Sequence, residues 1–280
     1  MCRRASLWFV LLLFGSTLSA PAQSVWTAPP RHATQLSVEW LKPVFEDGTD
    51  VSLLTSTLVV SAQAAFSERL MLVGELPVSH VRLSAPSVRD DAPSSTSVGN
   101  PALGLKLRST EGSFFMEMGA RPPITEGPGV LSSAIGSLSD LNRFSAYTVN
   151  QVPVHLLGNY HYTPGSSPVT ARLRAGPEIF LPAADNASAT MILTYGVQGW
   201  YTEADGWLSA GVGLTGRWEV VQEARFRESS LHHLSATVQG TFGRVRPGLV
   251  VRLPLEADYR EVFHAVIGLT MTVSLTEDPL

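Results

Sequence analysis

Twelve charged residues sit between mostly apolar or glycine neighbours: Glu39, Glu75, Lys106, Arg108, Glu117, Arg121, Arg172, Arg174, Glu178, Arg217, Glu219 and Arg252. In extended backbone alternate side chains point to opposite faces, so these charges gather on one face of any sheet that carries them. Both signs occur on neighbouring segments, most densely between residues 70 and 121. Two outcomes are open. Opposed Arg and Glu lining a passage create a transverse field that sorts small solutes, whereas the same groups paired with one another fill a narrow interior. Glu75 and Glu117, with Lys106 and Arg108 between them, are expected to pair across strands in one belt. His155, His161, His233 and His264 share the charged parity, but no two stand at a tight ligand spacing, so neither a metal nor a cofactor is expected. Neither Gly-x-Ser-x-Gly nor His-Glu-x-x-His occurs, and no nucleophile and base can be assembled by motif, so the chain reads as a non-enzyme. Asn186-Ala187-Ser188 matches a glycosylation sequon and is read as loop chemistry.

Strands must position such a face, and the stretch 57–84 shows how. Leu58, Val60, Ala62, Ala64 and Phe66 alternate with Thr57, Ser61 and Gln63; after Ser67-Glu68-Arg69 the alternation resumes at Leu70, Leu72, Gly74, Leu76 and Val78. That is a hairpin with arms long enough to cross a hydrocarbon layer. The pattern recurs, giving twelve candidate strands near 34–42, 53–66, 70–84, 98–108, 113–121, 144–162, 168–181, 190–202, 207–221, 231–242, 248–255 and 262–275. Their connections alternate in kind. Residues 67–69, 109–112, 163–167, 203–206 and 243–247 form tight links rich in Gly, Ser or Pro. Ala85 to Ser97, Pro122 to Arg143 and Gln222 to Ser230 are longer and more polar. Closed membrane barrels sort their loops this way, and a β-sandwich has no reason to.

Outward and inward faces follow from parity. Phe114, Met116, Met118 and Ala120 oppose Phe115, Glu117, Gly119 and Arg121; Leu173, Ala175 and Ile179 oppose Arg172, Arg174 and Glu178. On the apolar parity Phe66, Phe114, Tyr160, Tyr162, Tyr201 and Phe242 fall beside the tight turns, while Trp40, Phe144, Trp218 and Phe263 fall beside the long loops. Two aromatic rings are what the two interfaces of a bilayer select. A charge at the outward Leu173 should therefore cost more than one at the inward Gly176.

Composition agrees with export. Arg3 and Arg4, the apolar run Leu7 to Phe14 and Ala20-Pro21-Ala22 read as a signal peptide over 1–22, leaving 23–280 as one barrel domain. Loss of Arg3 and Arg4 takes 20 basic residues to 18 against 24 acidic and the net charge from −4 to −6, which gives no support for nucleic-acid binding. The single cysteine, Cys2, leaves with the signal.

Three segments carry a family resemblance: Phe66-Ser-Glu-Arg-Leu-Met-Leu-Val-Gly-Glu-Leu-Pro-Val, Val98-Gly-Asn-Pro-Ala-Leu-Gly-Leu-Lys-Leu-Arg and the closing Gly268-Leu-Thr-Met-Thr-Val-Ser-Leu. The chain resembles outer-membrane barrels of the meta-pathway phenol-degradation, or putative transporter, type. The resemblance implies uptake of small hydrophobic or aromatic solutes. Many such barrels end on an aromatic residue read by the assembly machinery, whereas here Leu275 takes that place and Thr276 to Leu280 follow. The combined expectation is all-β: a closed antiparallel transmembrane barrel of about twelve strands, with short periplasmic turns and long extracellular loops. It would sit in outer-membrane lipid after insertion by the barrel-assembly machinery and act as a passive pore for small-molecule solutes. The alternatives are a plugged structural barrel and an outer-membrane lipid hydrolase or protease.

Overall fold

Alternating sequence becomes strand through most of the chain. The computed structural model describes residues 33–276 apart from 46–54, 83–93, 111, 125–128, 184–187, 221–225 and 227–228. The signal segment 1–22, most of the Ala85 to Ser97 link, Asn186 of the sequon and residues 277–280 lie outside the described residues. The strands are β1 (Gln35–Phe45), β2 (Ser56–Ala65), β3 (Leu70–Arg82), β4 (Ser94–Val98), β5 (Ala102–Arg108), β6 (Phe114–Ala120) and β7 (Gln151–Tyr162). They continue with β8 (Val169–Pro182), β9 (Thr190–Thr202), β10 (Leu208–Glu219), β11 (Ser230–Gly240), β12 (Val245–Pro254) and β13 (Phe263–Ser274). Helix α1 (Val130–Ser139) and a 3-10 helix (Leu141–Tyr147) lie between β6 and β7; the short α2 (Ala257–Arg260) lies between β12 and β13.

Strands adjacent in sequence pair antiparallel, except that β4 and β5 do not pair with each other, and β1 pairs β13 from Gln35↔Ser274 to Val44↔Ala265, closing the sheet. β4 and β5 both pair with β3 and share one position, so the barrel has twelve strands around it. Closure removes the free edges that the first and last strands of an open sheet would present to another chain. Four of the tight turns hold a glycine in the left-handed region: Gly112, Gly165, Gly206 and Gly243, with φ between 53° and 74°. Only glycine adopts that region without strain, which is why these links can be so short. The remaining tight turn is held by Ser67 Oγ, which accepts from the backbone N–H groups of Arg69 and Leu70.

The apolar parity faces out. Leu103, Leu173, Val212, Leu249 and Leu269 are exposed, while Ser37, Glu39, Thr57, Asn159, Gln198 and Thr270 on the other parity are buried. This inverts the plan of a water-soluble protein and matches the wall of a lipid-facing barrel. Phe66, Phe114, Tyr160, Tyr162, Tyr201 and Phe242 stand exposed at the short-turn rim, as their parity requires.

Three expectations fail at the long-loop end. The strand expected from residue 144 starts at Gln151, because residues 141–147 form the 3-10 helix; Phe144 belongs to that helix and not to a rim of the wall. Phe263 turns inward and is buried against Leu41, Val250 and Val266, with Leu138 of α1 packed on them. The register shift after Val44 pairs Phe45 with Phe263 and skips a residue, so parity breaks there. For the same reason His264, expected inward, is exposed.

Candidate functional site: an occluded, charged lumen

The link from Pro122 to Arg143 is expected outside the barrel, but its described residues 129–143 fold into it. No residue there carries a long apolar face; α1 reads Val-Leu-Ser-Ser-Ala-Ile-Gly-Ser-Leu-Ser, and its serines bind the polar inner wall. Ser132 Oγ meets Ser95 Oγ at 2.9 Å and Ser97 Oγ at 2.6 Å, and its carbonyl accepts from Ser79 Oγ. Ser139 Oγ lies 3.0 Å from Thr57 Oγ1, and its carbonyl accepts from Arg252 Nη1 at 3.2 Å. On the far side Arg217 Nη1 donates to Leu141 O at 2.6 Å. The segment therefore crosses the lumen, tied to β2, β3, β4, β10 and β12.

Its anchor on the wall is the break between β4 and β5. Asn100 is fully buried; its backbone N–H donates to Ala146 O at 2.6 Å and its Nδ2 to Thr148 O at 2.8 Å, while its Oδ1 accepts from Ile124 N at 3.1 Å. A Cβ on Gly99 would lie 2.9 Å from Ala146 O, so only glycine lets the segment approach. Pro101 has no N–H to continue the ladder, and the strand breaks where the segment docks.

Arg143 sits at the centre. Its Nη1 donates to Glu39 Oε2 at 2.6 Å and Asp140 Oδ2 at 2.7 Å, and its Nε to Glu75 Oε2 at 2.7 Å. Glu39 also receives Arg252 at 2.8 Å, and Glu75 receives Arg121 at 2.6 Å. Burial works against ionisation of Asp140, but Arg252 and Arg143 outweigh it and hold the carboxyl well below the usual carboxylate range. For Arg143, burial is likewise outweighed by Glu39, Glu75 and Asp140, which raise the guanidinium further. Such a network favours one geometry because each charge needs its partners in place.

The remaining candidates divide by height. Glu178 accepts from Arg217 Nη2 at 2.7 Å, and the Arg217 guanidinium lies 5.2 Å from the Phe144 ring centre. Glu219 stands exposed at the long-loop mouth. Nearer the short turns, Glu117 faces Arg174 at 3.0 Å, Lys106 at 3.4 Å and Arg172 at 3.5 Å. His155 is partly buried and, with Glu117 and Arg174, lines a small lumenal cavity. The expected four-member belt does not form. Glu75 is drawn to Arg121 and Arg143 instead of Lys106, and Arg108 lies exposed at the short-turn mouth with Nε 3.4 Å from Gly112 O.

Two cavities flank the crossing segment. One, of about 130 Å³, lies between Arg143 and the β3–β9 wall and is lined by charges of both signs, Glu75, Glu117, Asp140 and Glu178 with Lys106, Arg121, Arg143, Arg172 and Arg174. The other, of about 410 Å³, lies toward the long loops beneath Phe144, Phe180, Ile192, Leu231 and Tyr259, with Arg217 among its lining residues. Among the described residues no group of three His, Cys, Asp or Glu could hold a metal ion. The histidine rings of His80, His232 and His233 meet Thr96, Tyr195 and Thr215 hydroxyls.

Sequence reasoning missed Arg143, Asp140 and Asn100, the residues that seat the segment. The one available signal was the Gly99-Asn100-Pro101 run, whose ladder-breaking chemistry interrupts a strand.

No family model matches the chain, and no curated protein is similar to it in sequence. Among solved structures, an outer-membrane channel from Pseudomonas putida F1 aligns with a TM-score of 0.59 at 15% identity, covering 90% of this chain and 98% of that one. LpxR from Salmonella typhimurium aligns with a TM-score of 0.54 at 9% identity, covering 86% of this chain and 100% of that one. At these identities the likeness is one of fold.

Proposed function

We propose that the chain is an outer-membrane channel for small solutes, not an enzyme, and that segment 129–150 holds it shut in this conformation. The observation that carries this reading is the pair of cavities separated by a segment seated largely through polar bonds, which water and solutes can replace. The fold shared with the P. putida channel supports it. Aromatic solutes are the substrates suggested by the resemblance to the phenol-degradation barrels. The long-loop cavity under Phe144 and Phe180 is where an aromatic ring would rest.

A permanently plugged barrel is the second reading, favoured by the three carboxylates around Arg143. Planar-bilayer recording separates the two. Arg143→Gln leaves Glu39 and Asp140 with Arg252, and Glu75 with Arg121, so no carboxylate is stranded. The channel reading expects discrete conductance in the wild type, with longer open times in R143Q. Silence in both proteins, with folding intact, would establish the plug.

A further inference from the structure

The long-loop cavity of about 410 Å³ is walled by the last inward rows of β7, β8, β9 and β10. Gln151 pairs with Pro182, Phe180 pairs with Thr190, and Ile192 stands between Glu178 and Glu219. Side chains in one such row lie about 5 Å from their cross-strand neighbours, so Glu178 and Glu219 bring two carboxylates into one corner. A single guanidinium, that of Arg217, stands with them, and it is committed on three sides. Its Nη2 donates to Glu178 at 2.7 Å, its Nη1 donates to Leu141 O at 2.6 Å, and its face lies against the Phe144 ring. Glu219 is exposed at the mouth, and no described residue pairs with its side chain.

The rest of the wall suits the same kind of solute. The Gln151 amide and the Thr190 hydroxyl line the cavity, and among the described residues neither side chain makes a hydrogen bond. Both offer an oxygen acceptor beside the Glu219 carboxylate. From the α2 side the field has the same sign: burial pushes the Tyr259 phenol up, and Glu256 and Asp258 push it further, against Arg217. Phe144, Phe180, Ile192 and Leu231 supply the apolar floor. Acceptors with a carboxylate above aromatic rings favour a positively charged N–H donor on an apolar body, whereas a carboxylate solute would meet Glu219 with like charge.

We propose that this cavity binds a primary organic ammonium with an apolar body, its ring against Phe144 and Tyr259 and its charge at Glu219. A preference of the channel for such amines rests on the channel reading; the binding does not. Calorimetric titration of the full barrel in uncharged detergent, at neutral pH and low ionic strength, tests the site. Three probes share one body: benzylamine, protonated at that pH, benzyl alcohol and benzoate. Benzylamine should bind more tightly than benzoate. Glu219→Gln should weaken benzylamine about fivefold, the scale of an exposed ion pair, and leave benzyl alcohol unchanged. Glu219→Lys should reverse the order of benzylamine and benzoate. A loss of packing would instead weaken all three probes together. The site is overturned if benzylamine binds no more tightly than benzoate, if no probe binds, or if neither variant moves benzylamine. Benzylamine binding in a protein without conductance keeps the site and removes the channel; conductance without that binding does the reverse.

Discussion

Asp140 shows how one residue does two jobs in the occluding segment. Its Oδ1 accepts from Asn142 N at 3.0 Å, capping the 3-10 helix, while its Oδ2 faces Arg143 at 2.7 Å and Arg252 at 3.4 Å. A cap of this kind contributes about 1 kcal/mol, and the ion pairs add a pH dependence to it. Because the folded carboxyl titrates below its value of about 3.9 in the unfolded chain, its stabilising contribution is complete above that value and is lost as pH falls toward the folded one. The difference in melting temperature between the protein and Asp140→Asn should therefore be constant above about pH 5 and close progressively below about pH 4. A difference that widens in acid would mean that Asp140 is seated as the neutral acid.

At the scale of elements, the sequence declares the wall and hides the occluding segment, for a physical reason. A strand in lipid needs a continuous apolar face, so period-two alternation is enforced along its length, and β8 and β9 were legible to within a few residues. α1 faces a polar lumen and uses Ser132 and Ser139 where a soluble helix would use leucine, so no helical apolar stripe announces it. Likewise the lumenal charges were legible as a face, but their partners depend on Arg143, which arrives from a segment with no readable period. One expectation about the wall needs correcting. Gly176 is inward, yet a Cβ there would lie 2.0 Å from Leu156 O, so no side chain fits and a charge at Gly176 should not be the milder change. Its inward neighbour Arg174 is the better control. Leu173→Arg, at the exposed outer wall, should cost roughly 2 to 4 kcal/mol in lipid, whereas Arg174→Gln should cost less. Equilibrium unfolding in liposomes compares the two, and equal costs would mean that the outer wall does not meet hydrocarbon.

At the scale of the molecule, closure and occlusion are separable. The β1–β13 ladder runs through eleven residue pairs and completes the sheet. The segment inside joins strands on opposite sides of the lumen, since Arg143 pairs with Glu75 on β3 while Leu141 O accepts from Arg217 on β10. A barrel closed by the β1–β13 ladder cannot fray from a free first or last strand, because those two strands pair with each other. Unboiled protein in mild detergent should accordingly migrate on gels as a compact species and shift to the position of the full-length chain only after heating. If the occluding segment were required for closure, R143Q would lose the compact band without heating. The ladder is complete without it, so R143Q should keep that band and lose only protection of segment 129–150 from added protease. Fractionation with outer membranes should accompany this behaviour in cells. Recovery of the chain as a soluble monomer without detergent would remove the membrane reading altogether, since the exposed leucines and aromatics of its outer wall would then have no lipid to cover them.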